Sequence, residues 1–141
     1  MEVRLARDDH EVAGALDLRR RVFAIEQGIR PEADRDGRDG EAIHVVAVDR
    51  GAVVGTCRLV ISGDAAMLGR LAVEPTRRRR GTGRALLKAA ERAARSEGAR
   101  RVALHAQMPV LAFYEQGGYA RNGKVFEEEG IDHVSMEKLL A

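Results

Sequence analysis

Tryptophan is absent from this chain, and two tyrosines and three phenylalanines are its whole aromatic complement. A surface that reads nucleic acid by stacking bases on rings is therefore not expected, and no basic stripe continues along a helix face. Cysteine occurs once, which excludes an internal disulfide. Cys57 lies in the apolar run from Val53 to Val60 and reads as a small packed side chain rather than a nucleophile. The cytoplasm is the default compartment for such a chain. Long apolar runs are missing too, and Met1-Glu2-Val3-Arg4 carries no apolar signal segment, so neither membrane insertion nor export is expected. Nor does one sign of charge dominate. The net charge of +2 is too small to argue for a polyanionic partner over the whole surface. Repeats, linkers and low-complexity tracts are lacking, and 141 residues with 45% hydrophobic content fit one soluble domain, residues 1–141.

Against these absences stands one organised stretch, Gly69 to Leu87. An apolar strand passes Pro75, four arginines follow at Arg77 to Arg80, and Gly81 and Gly83 precede an Ala/Leu-rich helical pattern. A helix N-terminus leaves its first N–H groups unpartnered and carries partial positive charge, so it suits a phosphate. Glycines there let a bulky anion approach the backbone. The spacing excludes two familiar phosphate loops. A dinucleotide fingerprint needs a third glycine where Leu86 stands, and a Walker A loop needs Lys-Ser/Thr where Arg84 and Ala85 stand. In isolation the arginine run reads equally well as a solvated face; beside Gly81 and Gly83 it has phosphates to neutralise.

The remaining pattern is α+β. Glu2 to Arg7 alternates as a short strand, and Asp8 or Asp9 can cap one or two helices reaching about Gln27, with Gly28 as the stop. The segment Glu32–Glu41 reads as an irregular charged loop. Strands follow at Ile43–Val48, Ala52–Ile61 and Ala66–Val73, as an antiparallel meander with a turn at Asp49-Arg50-Gly51. The helix after the anion loop carries a stripe of alanines and leucines and ends at Gly98. A strand at Arg101–Gln107, a helix opened by Pro109 and closed by Gly117-Gly118, and strands near Tyr119 and over Ile131–Leu140 complete the order.

Arg78-x-x-Gly81-x-Gly83 resembles the coenzyme loop of the GNAT superfamily of acetyl-CoA-dependent N-acetyltransferases, and Phe113-Tyr114-Glu115-x-Gly-Gly-Tyr119 is similar to a second motif of that family. Arg21 to Gly28, Leu104 to Gln107 and Phe126 to His133 narrow the likeness to the ElaA/YjcF-like branch, across nearly the whole chain. The resemblance implies the GNAT fold, a central mixed, mostly antiparallel sheet of about six to seven strands flanked by about four helices. It implies an N-acetyltransferase that takes acetyl-CoA as cosubstrate and passes the acetyl group to an amine of a small molecule or peptide by direct attack. A non-catalytic acyl-CoA-binding sensor is the alternative, and a homodimer is left open.

The implied coenzyme contacts are the backbone of Leu71, Ala72 and Val73 for pantetheine, the N–H groups of Arg79, Gly81, Thr82, Gly83 and Arg84 for pyrophosphate, with charge from Arg78. Two positions depart from the pattern: Arg79 stands where many members have glycine, and Gln107 where many have an asparagine on the pantetheine arm. Tyr114 is the implied acid for the leaving thiolate and a coenzyme contact. For the base the candidates are Glu26 first, then His105, His44 and His133, or water alone. The four histidines lack short ligand spacing, so no metal is expected. The five carboxylates of Glu32–Glu41 either steer a cationic acceptor or form a plain solvated loop.

Overall fold

A computed structural model describes residues 1–141. Its strands are β1 (Glu2–Leu5), β2 (Ile43–Asp49), β3 (Ala52–Ser62), β4 (Ala65–Val73), β5 (Arg101–Gln107), β6 (Ala120–Arg121), β7 (Phe126–Glu128) and β8 (Ile131–Leu139). Its α-helices are α1 (Asp9–Arg19), α2 (Pro31–Asp34), α3 (Thr82–Ser96) and α4 (Leu111–Gln116). The strands form one sheet in the order β1-β2-β3-β4-β5-β8-β6, with β7 also paired to β8. Pairing is antiparallel except between β4 and β5, where α3 makes the crossover that parallel strands require. The β2–β3 turn puts Arg50 and Gly51 at φ +52° and +79°, the positive pair of a type I′ hairpin.

The apolar stripe of α3 meets the inner side chains of β2, β3, β4 and β5 in the main core, which includes Val45, Cys57, Leu59, Leu68, Leu86 and Val102. Leu86 and Leu87 are at most 1% exposed, and each such burial is worth about 1.5–3 kcal/mol. Gly55 on β3 sets the closeness of this contact, since a Cβ there would stand 3.0 Å from Leu86 and 3.1 Å from Thr82. On the opposite face α1 and the residues after it bury Leu18, Val22 and Phe23 against Ala72. No helix is long and apolar enough to cross a membrane.

Eight strands are present: β6 lies near Tyr119, where a strand was expected, and β7 is the one beyond the expected set. β7 spans three residues, mostly exposed, and does not carry the alternation that reveals a strand. After Arg19 the helix does not stop but widens into a π-helix over Arg20–Glu26, which a 3.6-residue pattern does not disclose. Gly28 ends it at φ +72°. The charged segment opens with the single turn of α2, with Pro31 at its first position.

Candidate functional site

β4 and β5 run together only from Ala65–Leu68 against Arg101–Leu104. Beyond that point β4 follows β3, and β5 follows β8 as far as the Gln107–His133 pair. A register shift in the β3–β4 pairing, with Arg70 at φ +56°, helps to turn β4 away. The resulting gap is a cavity of about 1220 Å³ lined by both strands, the π-helix, the arginine loop, α4 and the β7–β8 hairpin.

At one end lies the start of α3. Gly81 is its N-cap at φ +82°, a left-handed conformation that costs a side chain about 1–2 kcal/mol. Ala85 is the first residue whose N–H reaches back, to the Gly81 carbonyl at 3.0 Å, so the N–H groups of Thr82, Gly83 and Arg84 have no partner within the helix. Arg79 also takes a positive φ, +63°, a conformation in which glycine is relaxed. Gly83 has a packing reason as well: a Cβ there would touch the Phe113 ring at 3.4 Å.

The arginine side chains divide their work. Arg78 grips Glu26 through both terminal nitrogens, at 2.7 and 2.8 Å, and donates from Nε to the Val73 carbonyl at 3.0 Å. That pairing lowers the Glu26 pKa below the usual carboxylate value. Arg84 instead stacks over Phe113, 4.4 Å from the ring centre, and donates to the Phe113 carbonyl, so its side chain ties α3 to α4. Tyr114 lines the cavity at 7% exposure, edge-on to Phe113, and burial raises its phenol pKa.

The other end rests on a closed ring of charges. Arg19 bonds Asp34 at 3.0 Å and Asp39 at 2.7 Å; Arg58 bonds Asp36 at 2.6 Å and Asp39 at 3.2 Å; Arg70 approaches Asp34 and Asp36, each at 3.3 Å. Each carboxylate thus meets at least two guanidiniums, Asp39 adding the exposed Arg35 at 3.8 Å, and the Arg58 pair holds Asp36 well below the usual carboxylate range. The expected acidic loop is accordingly neither a plain solvated loop nor a free steering patch: three of its carboxylates are spent on arginines of α1, β3 and β4. Above the ring, His105 Nδ1 lies 2.8 Å from Glu128, and Phe126 packs against both His105 and His133.

The segment Glu26–Arg30 connects three walls of the cavity. Glu26 reaches Arg78, Gln27 accepts from Gln107 at 3.0 Å, and Arg30 pairs with Glu129 at 2.7 Å. Of the residues singled out in the sequence, Glu26, Leu71, Ala72, Val73, Arg78, Arg79, Gly81, Gly83, Arg84, His105, Gln107 and Tyr114 all line this one cavity, and so does His133. Thr82 does not; its side chain is 3% exposed and turned toward Arg77 and Met1, leaving only its N–H for a ligand. His44 lies away from the cavity, with Nε2 against the Asp39 carbonyl. Cys57 is fully buried, its thiol pushed up to about 12, so it is packed rather than nucleophilic. Sequence reasoning missed Arg58, Arg70, Gln27 and Glu128, whose partners are all distant in the chain.

The model of the acetyltransferase (GNAT) domain family matches residues 17–140. The uncharacterised N-acetyltransferase YjcF of Bacillus subtilis is 32% identical over 98% of this chain and 99% of its own. Protein ElaA of Escherichia coli is 31% identical over 87% of this chain and 84% of its own. The crystal structure of an acyl-CoA N-acyltransferase from Pseudomonas aeruginosa superposes with a TM-score of 0.87 at 27% identity, covering 98% of this chain and 99% of that one.

Proposed function

The chain belongs to the GNAT acetyltransferase family, and on that premise we propose that it carries the acetyl group of acetyl-CoA directly to an amine of a small molecule or peptide, both reactants bound in the one cavity. Residues 1–141 act as a single catalytic domain. One observation carries this reading: the unpartnered N–H groups at the start of α3, the free length of β4 and the Tyr114 side chain all border the same gap.

The coenzyme diphosphate accepts hydrogen bonds from the N–H groups of Thr82, Gly83 and Arg84, where the α3 dipole and the charges of Arg78 and Arg79 favour it. The pantetheine arm runs along β4 as an added strand, bonding the backbone of Leu71 and Val73 past Ala72, with Gln107 across from it. The Val73 carbonyl is engaged by Arg78, so Arg78 exchanges both Val73 and Glu26 for the incoming coenzyme.

The amine nitrogen then bonds the acetyl carbon, the C–S bond breaks, and sulfur takes the Tyr114 proton. Burial makes this phenol hold its proton more tightly than an ordinary tyrosine, so the transfer follows the build-up of charge on sulfur. As base, Glu26 is handicapped by its guanidinium partner. His105 is the better candidate. A carboxylate only accepts, so His105 gives its Nδ1–H to Glu128 and keeps a lone pair on Nε2. A non-catalytic acyl-CoA sensor would need the cradle alone; a tyrosine beside the same gap favours the enzyme.

Thiol release from acetyl-CoA across a panel of primary amines tests the reading, together with thermal protection by coenzyme A. Release with at least one amine, and a melting point that rises with coenzyme concentration, are expected. Neither effect at millimolar coenzyme would overturn it.

A further inference from the structure

An ammonium that becomes an amide loses two protons, and the cavity is lined by two imidazoles, His105 and His133, whose Nδ1 atoms are both engaged by an oxygen acceptor, which leaves the lone pair on Nε2. His133 Nδ1 lies 2.7 Å from the Ile131 carbonyl, which can only accept, so Nδ1 carries the proton and Nε2 the lone pair. His105 is fixed in the same tautomer by Glu128 Oε1 at 2.8 Å. The second oxygen of that carboxylate stands 3.9 Å from His133 Nε2: too long for a hydrogen bond, close enough to pair with an imidazolium. Phe126 lies between the rings, edge-on to His105 at 5.0 Å and stacked on His133 at 5.9 Å, and so holds both orientations.

We propose that His105 and His133 act as a pair of bases bridged by Glu128, which positions the first and stabilises the charge gained by the second. The proposal rests on the acetyl transfer read above and deepens it. The acceptor is a primary amine that arrives as its ammonium, drawn by Glu128, which no arginine neutralises and which reaches both rings. Of the other charges lining this end, Arg58 and Arg70 pair with Asp36 and Asp34 in the floor, Arg38 with Glu41 and Arg30 with Glu129 at the rim, while Glu32 adds a second carboxylate without a salt bridge. One imidazole takes a proton from the ammonium, freeing the lone pair that bonds the acetyl carbon. The other takes the second proton as the C–N bond forms and sulfur departs with the C–S electron pair. Tyr114 protonates sulfur and is reprotonated from one imidazolium; the other releases its proton to water. One ammonium and one thioester thus give one amide, one thiol and one proton.

The variants His105→Asn and His133→Asn each keep a donor for the Glu128 or Ile131 oxygen while deleting Nε2. At saturating substrates, kcat of the unaltered enzyme should fall on the acid side with a two-proton slope, and with a one-proton slope in either variant, with kcat near pH 7 lower by at least about tenfold. Equal slopes in enzyme and variants, or an unchanged rate in His133→Asn, would overturn the pair. Ring-nitrogen NMR of the full chain decides the matter separately from activity. Both rings should show the Nδ1–H tautomer, with Glu128→Gln scrambling that of His105 alone. A His133 ring protonated at Nε2 in the neutral form would sink the proposal. An enzyme inert toward every amine, with both tautomers as stated, would instead sink the acetyl-transfer reading.

Discussion

Arg78 and Glu26 close on one another through two parallel hydrogen bonds, across 52 residues of sequence, at the place where a coenzyme would lie. The pair is partly exposed, 38% and 42% at the side chains, and exposed ion pairs are worth about 0–1 kcal/mol. It is therefore weak enough for the diphosphate of the proposed coenzyme to displace.

Replacing Glu26 by Gln should free Arg78 for phosphate and tighten coenzyme A binding by up to about fivefold, the equivalent of that ion pair. Turnover at saturation should hold. Calorimetric titration and kcat check this together; a collapse of kcat with unchanged affinity would return the role of base to Glu26.

Tyr114→Phe keeps the ring packed against Phe113 and Tyr119 and removes only the hydroxyl. It should lower kcat by about 10²-fold or more while changing coenzyme affinity little. Steady-state kinetics with a parallel binding measurement test it, and equal turnover would remove Tyr114 from the chemistry.

Two backbone substitutions should act in opposite directions. Gly81→Ala forces a Cβ into φ +82° and should destabilise the fold by about 1–2 kcal/mol. Arg79→Gly relaxes φ +63° and should be neutral or stabilising by up to about 1 kcal/mol. Denaturant melts read both, and a stabilising Gly81→Ala would show that the turn is built differently.

The charge ring has a pH signature. Asp36 is hydrogen-bonded to Arg58, and its folded pKa is depressed, so the stability it contributes is present above the unfolded carboxylate pKa, about 3.9, and is lost as pH falls toward its own lower value. Asp36→Asn should therefore melt well below the parent at pH 7, with the gap narrowing below about pH 4. A constant gap down to pH 2 would argue against the ionic origin. Asp34→Ala removes one of the two carboxylates that the 1%-exposed Arg19 meets, leaving Asp39 and the residue-34 carbonyl, and should cost about 1.5–3 kcal/mol at pH 7, by the same melts.

The local structure of the proposed coenzyme end was legible because it is written in neighbouring residues. Gly81 and Gly83, the start of α3 and the apolar run Leu71–Val73 write their backbone conformation into neighbouring residues, and the Tyr114 motif sits on a helix whose ending glycines are adjacent. The acceptor end was not, since its partners meet only through topology. Arg70 reaches Asp36 across 34 residues, and Glu128 reaches His105 only because β7 and β5 pair with the two edges of β8. Glu26 looked like a free base for the same reason: nothing near it in the chain announces Arg78. Loop carboxylates read as exposed until three separate elements deliver the arginines that claim them.

Three guanidiniums and three carboxylates in a closed circuit carry no net charge among themselves, so the floor they make exerts little long-range pull on whatever sits above it. Added salt, which screens exposed charges separated by more than a Debye length of about 8 Å under physiological conditions, has little to act on in the buried and directly paired Arg19 and Asp34. The floor then behaves as a mechanical plate, riveting helix, sheet and loop, and leaves the sign of the acceptor to be chosen by the wall opposite.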